Sequence, residues 1–548
     1  MKRITSLFLV FIIVFSNVSY SAFADNKISP YDYNAAKPLI ESHDVISFDI
    51  FDTLLVRPYA EPKDAVDHYK KLKETDKFKG TLKLESDFER IILQPHSENV
   101  ELFNYAKSLG KKVIIISDMY INSKKLTEIL NKNGIDGWEK MYVSCEINKS
   151  KASGDLFDYV LEDLKINPET VLHIGDNMHS DCKMAESRGI HSFNTPKIID
   201  RLFEREPRTK IYYENHKGDL TASIFLGTMA LSVLNHNDNY WNIKGSIYLG
   251  PICYAYTKWL KTQFEKDGIE KALFISRDCY SIHKIFELIK GDSNIESEYF
   301  YAPRGVYAIC TPERKDKSVT WWKTVLGYGK CKNEILKNKT PNPLPETVEE
   351  CEKFVSDNAE LYQKIAEEEK AEYKKYLDGL NLENKKFALI DATSGNYTAL
   401  KLLNLFYNKE NFKGYYFTQR SNSNSYNFNI SGFMDRYINH ITAEYIMFAP
   451  EPHVLRIENN KPVYGRNLPI YFGKRAKMEE GIQSFAKNAE RSFAGINIDF
   501  NRQSIVDFEE MFWIPNSKEE DKVKGVIFKT ENRPTIEKLW EEWSKLVK

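Results

Sequence analysis

Short apolar runs that end in a polar residue recur in the first part of the chain. Residues 45–48 lead to Asp49, residues 113–116 lead to Ser117, and residues 171–175 lead to Asp176. Mostly apolar runs of this length, rich in β-branched residues, are typical of strands buried in a parallel sheet. Lys- and Glu-rich stretches with helical periodicity separate them. This alternation predicts an α/β fold with a doubly wound parallel sheet.

Asp49 stands at the end of the first predicted strand, and a turn follows it. In open α/β sheets, ligands bind at the carboxyl ends of the strands. A carboxylate held there by a rigid strand can act as a covalent nucleophile or as a metal ligand. On this stretch alone, the alternative that Asp49 and Asp52 are chance acids in a turn stays open.

Later stretches add other chemistry. The Ser117 hydroxyl, at the end of a strand, can donate a hydrogen bond to a phosphoryl oxygen, although a helix cap is the simpler interpretation of that residue alone. Lys151, at the entrance of a predicted helix, can neutralise repulsion between Asp49 and a phosphate, although most lysines are solvated. Asp176 and Asp181 follow the strand at 171–175, and with Asp49 they would supply the oxygen ligands that Mg²⁺ prefers.

Taken together, these stretches resemble the four motifs of the haloacid dehalogenase superfamily. The motif residues are Asp49, Asp52, Thr53 and Leu54, then Ser117, then Lys151, then Gly175, Asp176, Asn177, Ser180 and Asp181. The resemblance covers roughly residues 44–200 and implies a Rossmann-like doubly wound core. It also implies in-line attack by Asp49 on a phosphate monoester, with an aspartyl-phosphate that water then hydrolyses.

The resemblance also implies roles for individual residues. The expected Mg²⁺ ligands are Asp49, the backbone carbonyl of Phe51, Asp176 and Asp181. Thr53, Ser117 and Lys151 are expected to hold the phosphate. We add Asp118 and Asn177, which lie within these motifs, as candidate substrate-binding residues. Asp49, Asp52 and Lys151 are the candidate catalytic residues.

Phe51 departs from the motif of the superfamily's phosphatases, which carry a second aspartate two residues after the nucleophile. Loss of a proton donor slows departure of an alkoxide by a factor of about 10² to 10⁴. Asp52 is adjacent, but side chains alternate along a strand, so the turn must redirect it. The metal-free dehalogenases of the superfamily also carry an aromatic residue at this position, so this feature of the chain resembles them too. Dehalogenase activity does not explain Asp176 and Asp181, however, because clustered acids repel one another without a cation.

The predicted domain organisation has four parts. Residues 1–24 have the basic start, apolar core and small-residue end of a secretory signal peptide. This pattern predicts an extracytoplasmic protein, either periplasmic or secreted. An uncleaved membrane anchor is the alternative. Residues 25–205 form the hydrolase-like domain, and about 59–109 form a small helical cap, either a lid or ordinary crossover helices. Residues 206–470 form a second α/β domain, and 471–548 a helical and loop extension.

The second domain contains two strand–helix units, one at residues 268–289 and one whose strand and polar end span residues 386–397, and these polar strand ends suit an anion or sugar. Its Leu-Gly-Pro, Ser-Arg-Asp and Ile-Asp-Ala-Thr-Ser-Gly elements are similar to a module that accompanies haloacid dehalogenase domains in bacterial proteins of surface-polysaccharide synthesis. A purely structural role for Arg277 and Asp278, as a local ion pair, is the alternative.

The composition of the chain limits the classes of binding partner that it can have. The net charge of −1 provides no basic field for nucleic acid, and no segment after residue 24 is long and apolar enough for a stable membrane span. The seven cysteines show no paired spacing, which excludes a zinc site of that type and indicates no disulfide framework. We therefore predict a Mg²⁺-dependent phosphatase or phosphotransferase acting on a small phosphorylated metabolite, including sugar phosphates. The alternative is a catalytically weakened module that binds phosphorylated glycans.

Overall fold

The computed structural model describes most of the chain between residues 31 and 508. The described residues are 31–75, 82, 84–234, 239–311, 318–393, 396–418, 427–434, 447, 449–465, 472–494, 505 and 507–508. The predicted signal peptide and most of the predicted extension after residue 494 lie outside them. None of the helices in these ranges combines the length and apolarity that a bilayer span requires.

Fourteen strands occur in the described ranges. They are β1 (Val45–Phe48), β2 (Leu55–Val56), β3 (Gln94–Pro95), β4 (Lys112–Ser117), β5 (Lys140–Val143), β6 (Val171–Gly175), β7 (His191–Asn194), β8 (Lys271–Ile275), β9 (Glu296–Phe300), β10 (Phe387–Asp391), β11 (Phe412–Thr418), β12 (Ile430–Met434), β13 (Val454–Glu458) and β14 (Lys461–Tyr464). They form two five-stranded parallel sheets and two short antiparallel pairs.

The α-helices of the described ranges surround these sheets. They are α1 (Ala36–Ser42), α2 (Asp64–Lys73), α3 (Glu85–Ile92), α4 (Ser97–Ser108), α5 (Ser123–Lys132), α6 (Ser144–Ile147), α7 (Asp155–Leu164), α8 (Met184–Glu186), α9 (Ile198–Arg205), α10 (Pro207–Asn215), α11 (Leu220–Leu231), α12 (Tyr240–Lys244), α13 (Gly250–Asp267), α14 (Tyr280–Ile289), α15 (Arg304–Cys310), α16 (Val319–Lys332), α17 (Glu334–Lys339), α18 (Val348–Asp357), α19 (Ala359–Gly379), α20 (Thr398–Leu403) and α21 (Phe472–Ser492).

The first parallel sheet has the strand order β5-β4-β1-β6-β7. Every residue of β1 is buried, because helices cover both faces of the sheet. Ile46 and Phe48 pack with Phe103 of α4 on one face, whereas Val45 packs with Phe157 of α7 on the other. Successive side chains of a strand point to opposite faces, which is why an unbroken apolar run forms a strand covered on both sides. The predicted doubly wound parallel sheet is confirmed.

The second parallel sheet has the strand order β12-β11-β10-β8-β9. Phe274 and Ile390 pack on the face shared with α13, α14 and α21, and Leu273 and Leu389 pack on the face covered by α15, α16 and α19. The second α/β unit predicted from the sequence is therefore present. The exact domain limits at residues 205 and 470 stay a prediction.

The stretch predicted as a cap divides into two parts. Helices α2 and α3 contribute Leu72, Phe88 and Ile92 to the same hydrophobic core as α11, α13 and α21 of the second unit. Helix α4 instead packs on the first sheet through Leu102 and Phe103. Helix α4 therefore packs as a crossover helix does, whereas the predicted cap limits of about 59–109 stay a prediction. A lid function for α2 and α3 stays a prediction.

The two units are joined tightly beside the first strand. Gly227 of α11 lies so close to residues 58 and 59 that an added Cβ would be 2.0 Å from the carbonyl carbon of Pro58. Further along, Gln94 donates a hydrogen bond to Ser492 of α21 (3.1 Å). The chain that leaves β1 therefore runs directly into the core of the second unit.

Candidate active site

Strand β1 delivers Asp49 to the carboxyl edge of the first sheet. The Asp49 amide donates to the carbonyl of Ile174 in β6 (3.0 Å), so the backbone stays in sheet register up to this residue. The side chain is largely buried. The order of the strands reverses between β1 and β6, and this is where such sheets form a ligand crevice.

The turn after β1 redirects Asp52. Asp52 has a left-handed backbone (φ 54°), and its amide donates to the carbonyl of Leu55 (2.7 Å). Its carboxylate lies 3.7 Å from Nζ of Lys197, which is also 3.8 Å from the carboxylate of Asp176. The structure thus brings Asp52 to the same edge as Asp176, although a role as proton donor stays a prediction.

Lys151 links two of the predicted acids. Its Nζ lies 2.8 Å from Oδ1 of Asp49 and 2.5 Å from Oδ1 of Asp181, and the side chain is only 2% exposed. Burial lowers the pKa of Lys151, but the two carboxylates raise it by more, so the pKa lies well above its usual range. A buried lysine between two buried carboxylates keeps its charge and fixes both of them.

Asp118 holds the loop that carries Lys151. Its carboxylate accepts hydrogen bonds from the amides of Lys151 (2.8 Å) and Ala152 (3.2 Å). Both oxygens of the Asp118 carboxylate are engaged by backbone groups. These contacts show that Asp118 positions the backbone at Lys151, while its predicted contact with substrate stays a prediction.

Asp181 is placed by a glycine and by a π-helical turn. The turn spans Met178–Lys183 and follows β6 directly. An added Cβ at Gly175 would be 2.4 Å from Cγ of Asp181, so the glycine makes room for this carboxylate. The Asn177 amide donates to Oδ2 of Asp181 (2.9 Å), and His173 lies 3.4 Å from its Oδ1. The Asn177 side chain caps the turn by accepting from two amides, while its predicted contact with substrate stays a prediction.

Three of the predicted metal ligands converge. One carboxylate oxygen each from Asp49, Asp176 and Asp181 lies within 4.8 Å of the other two. Among the described residues, no other group of three acids, histidines or cysteines has this spacing. Hard oxygen donors in a compact group are what Mg²⁺ takes, with water and substrate oxygens completing the octahedron. The donor set therefore fits the predicted ion.

The ionisation of the acids reflects their crowding. Burial raises the pKa of Asp176 to about 8, and the neighbouring charges of Asp52 and Asp49 add to the shift. Burial likewise raises the pKa of Asp49, against the opposing effect of Lys151. Burial also penalises the Asp181 carboxylate, but Lys151 and His173 hold its pKa well below its usual range. The raised pKa values show that the carboxylate forms of Asp49 and Asp176 are disfavoured in this crowded site, and a divalent cation would stabilise them.

Two hydroxyls predicted to hold phosphate differ in their surroundings. Ser117 is buried, and its Oγ has no hydrogen-bond partner among the described residues. A buried hydroxyl without a partner is costly, so it fits a site that a phosphate oxygen would complete. Thr53 is fully buried and donates instead to Oδ1 of Asp176 (3.4 Å). Its predicted contact with phosphate stays a prediction.

Lys197 and His173 were not predicted as site residues. Lys197 follows β7 by three residues and has no motif around it. His173 lies inside β6, where its Nδ1 is 2.7 Å from Oγ of Ser47 and burial lowers its pKa. The polar residue in an apolar strand was a usable signal for His173; for Lys197 the sequence offered none.

Comparison with known proteins agrees with this geometry. Residues 59–189 match the family model described as haloacid dehalogenase-like hydrolase. This segment of the chain is therefore similar to haloacid dehalogenase-like hydrolases. The match begins after Asp49 and Asp52, so it does not extend to these two residues. No curated protein matches the chain.

Solved structures resemble part of the chain only remotely. An uncharacterized protein from Listeria monocytogenes serotype 4b is 20% identical, with 27% of this chain and 75% of that chain covered and a TM-score of 0.20. A haloacid dehalogenase family enzyme from Bacteroides thetaiotaomicron, in complex with magnesium and inorganic phosphate, is 14% identical, with 28% and 95% covered and a TM-score of 0.22. Likenesses of this extent carry no conclusion about activity.

Proposed function

We propose that the haloacid dehalogenase-like domain is a Mg²⁺-dependent phosphatase or phosphotransferase for a small phosphorylated metabolite, including sugar phosphates. The observation that supports it most is the convergence of Asp49, Lys151, Asp176 and Asp181 at the strand reversal of the first sheet. Mg²⁺ held by Asp49, Asp176 and Asp181, with the Phe51 carbonyl, would neutralise the charge of the phosphate and of the acids.

The residues have distinct tasks in this proposal. Asp49 forms a bond from a carboxylate oxygen to phosphorus, while the ester P–O bond breaks and the leaving oxygen departs with the electron pair and takes a proton from water or from Asp52. Lys151 places positive charge beside Asp49 and the phosphoryl oxygens. The buried hydroxyl of Ser117 donates to one of these oxygens. Water then attacks phosphorus, which releases phosphate and restores the Asp49 carboxylate.

The test is phosphate release from p-nitrophenyl phosphate and acetyl phosphate, with and without Mg²⁺, followed by a broad panel of phosphorylated metabolites. We expect metal-dependent turnover that Asp49→Asn abolishes. Both leaving groups are acidic, so they depart without the proton donor that Phe51 replaces. If no member of the panel is hydrolysed by the folded protein, the proposal fails and the alternative, a module that binds phosphorylated glycans, gains support.

We also propose that residues 1–24 direct the protein out of the cytoplasm. The basic start and apolar core of this segment support export. N-terminal sequencing of the protein from fractionated cells tests the proposal. A mature chain that begins near residue 25 in the extracytoplasmic fraction is the expected result, and an intact N-terminus on cytosolic protein would contradict it.

A further inference from the structure

The ring of Phe51 is covered by a guanidinium group. Cζ of Arg57 lies 4.3 Å from the centroid of the Phe51 ring, a cation–π contact. Phe51 stands two residues after Asp49, at the position where related phosphatases carry the acid that faces the leaving group. The residue that departs from the motif thus serves as a platform for a cation.

A buried carboxylate fixes the orientation of this cation. Nε of Arg57 donates to Oε1 of Glu89 in α3 at 2.8 Å, and the exposed fractions of the two side chains are 14% and 2%. Oε2 of Glu89 is buried without a hydrogen-bond partner in the described part of the chain. Glu89 therefore has Arg57 as its hydrogen-bond donor, and the pair holds the guanidinium against the ring.

The outer edge of the guanidinium keeps its donors. Arginine has five N–H groups, and the hydrogen bond to Glu89 uses only the one on Nε. Among the described residues, no acceptor is bonded to Nη1 or Nη2 of Arg57. Tyr120, in the loop after β4, and Asp52, in the turn after β1, both interact electrostatically with Arg57, and 61% of Tyr120 is exposed.

Negative groups around Arg57 already have partners. The Asp52 carboxylate lies beside Lys197 at 3.7 Å, and Glu89 is bonded to Arg57 itself. Glu85 interacts with the hydroxyl of Tyr120. Burial lowers the pKa of Arg57, but Glu89 and Asp52 raise it by more, so the guanidinium stays charged. The unused donors of a fixed guanidinium match the two oxygens of a carboxylate.

We propose that Arg57 binds a carboxylate on the leaving group of the substrate, with Glu89 as its positioning residue. This inference rests on the proposed function and narrows it to phosphate esters whose leaving group is itself an acid. Phe51 then contributes the surface on which Arg57 is held, in place of a proton donor.

The experiment measures binding, so that it does not depend on turnover. In the Asp49→Asn protein with Mg²⁺, calorimetric titration compares phosphoglycolate, ethyl phosphate and phosphoethanolamine, which are similar in size but differ in the charge of the leaving part. We expect phosphoglycolate to bind about tenfold or more tightly than ethyl phosphate, the usual effect of a charged hydrogen-bonded pair. Phosphoethanolamine should bind weakest.

Three further substitutions test the assignment. Arg57→Gln and the more conservative Arg57→Lys should each remove most of the preference for phosphoglycolate while the affinity for ethyl phosphate stays within about twofold. Glu89→Gln should reduce the preference partly, because the cation stays but is less well held. Arg90 is the exposed neighbour of Glu89 on α3, so Arg90→Gln is the matched control. It should change the affinity for neither phosphoglycolate nor ethyl phosphate.

Several outcomes would overturn the inference. One is a preference for phosphoethanolamine. It would mean that the carboxylates of Asp52 and Glu85 attract a cationic leaving group more strongly than Arg57 attracts an anionic one. Another is an equal loss of both ligands in Arg57→Lys with the fold intact by circular dichroism, which would indicate a structural role. If the wild type hydrolyses nothing but an Arg57-dependent preference remains, the proposed function fails and the carboxylate site stands. If the wild type hydrolyses phosphate esters but shows no preference for phosphoglycolate, the proposed function stands and the carboxylate site at Arg57 fails.

Discussion

Both parallel sheets reverse their strand order beside a central strand, yet their carboxyl edges are built differently. In the first sheet the reversal lies between β1 and β6, and three carboxylates and Lys151 meet there. In the second sheet the reversal lies between β8 and β10. The loops at this edge are hydrogen-bonded to neighbouring segments: the amide of Arg277 donates to the hydroxyl of Tyr299, and that hydroxyl donates to Glu451. Topology offers an edge in both cases, and the side chains decide which groups meet there.

The first prediction contrasts an acid from each edge and has the largest expected effect. Asp49→Asn should lower phosphate release by at least about 10³-fold, because the nucleophile is lost. Asp278→Asn, in the loop after β8, should leave the rate within about twofold. The measurement is initial-rate phosphate release with saturating Mg²⁺. Comparable losses in both variants would show that the second edge takes part in the chemistry.

The second prediction contrasts the buried lysines of the two sheets. Lys151→Met should reduce the free energy of unfolding by about 3–5 kcal/mol, because Asp49 and Asp181 are left buried without their cation. Mg²⁺ should restore part of this loss. Lys271→Met in β8 should cost less, since its partners Glu296 and Glu298 are about half exposed, and Mg²⁺ should not restore it. Urea unfolding with and without Mg²⁺ measures both, and equal Mg²⁺ effects would contradict the metal site.

The third prediction addresses the junction between the two units. Gly227→Ala should destabilise the protein by about 1–3 kcal/mol, because the new methyl group overlaps the backbone of Pro58 and the rigid core cannot relax. Gly327→Ala, in the middle of α16 with nothing within 4 Å, is the matched control and should stabilise by up to about 1 kcal/mol. Thermal unfolding compares them; a neutral Gly227→Ala would mean that the units do not pack as described.

The fourth prediction concerns pH and has the smallest effect. Burial of His96 in the first unit lowers its pKa to about 3, so the folded protein keeps it neutral while the unfolded chain takes up a proton. Its stabilising contribution is complete above the ordinary pKa of about 6.5 and is lost as the pH falls towards 3, by about 1 kcal/mol at pH 5.5. Urea unfolding at pH 7.5 and 5.5 should show that loss in the wild type and a smaller one in His96→Gln. An unchanged pH dependence would contradict it.

The convergence of the acids at the first sheet edge could be predicted because two of them lie at the ends of apolar runs. Asp49 and Asp176 each close a buried strand, and parallel strands bring their carboxyl ends to one edge. The contacts of Asp118 with backbone amides could not be predicted, because only the folded loop brings them together. The packing of α4 on the first sheet could not be predicted either, since the periodicity of a helix does not tell which surface covers its apolar face.

The local pattern of residues determined the strands, the parallel sheets and the acids at their edges, because burial on both faces requires unbroken apolar runs. Tertiary structure decided which side chains from separate elements contact one another. Arg57 and Glu89 are separated by 32 positions and meet only because α3 packs beside the turn after β1. Lys197 reaches Asp52 and Asp176 only through the placement of β7 at the sheet edge. Contacts of this kind depend on how elements pack against one another, which no local spacing encodes.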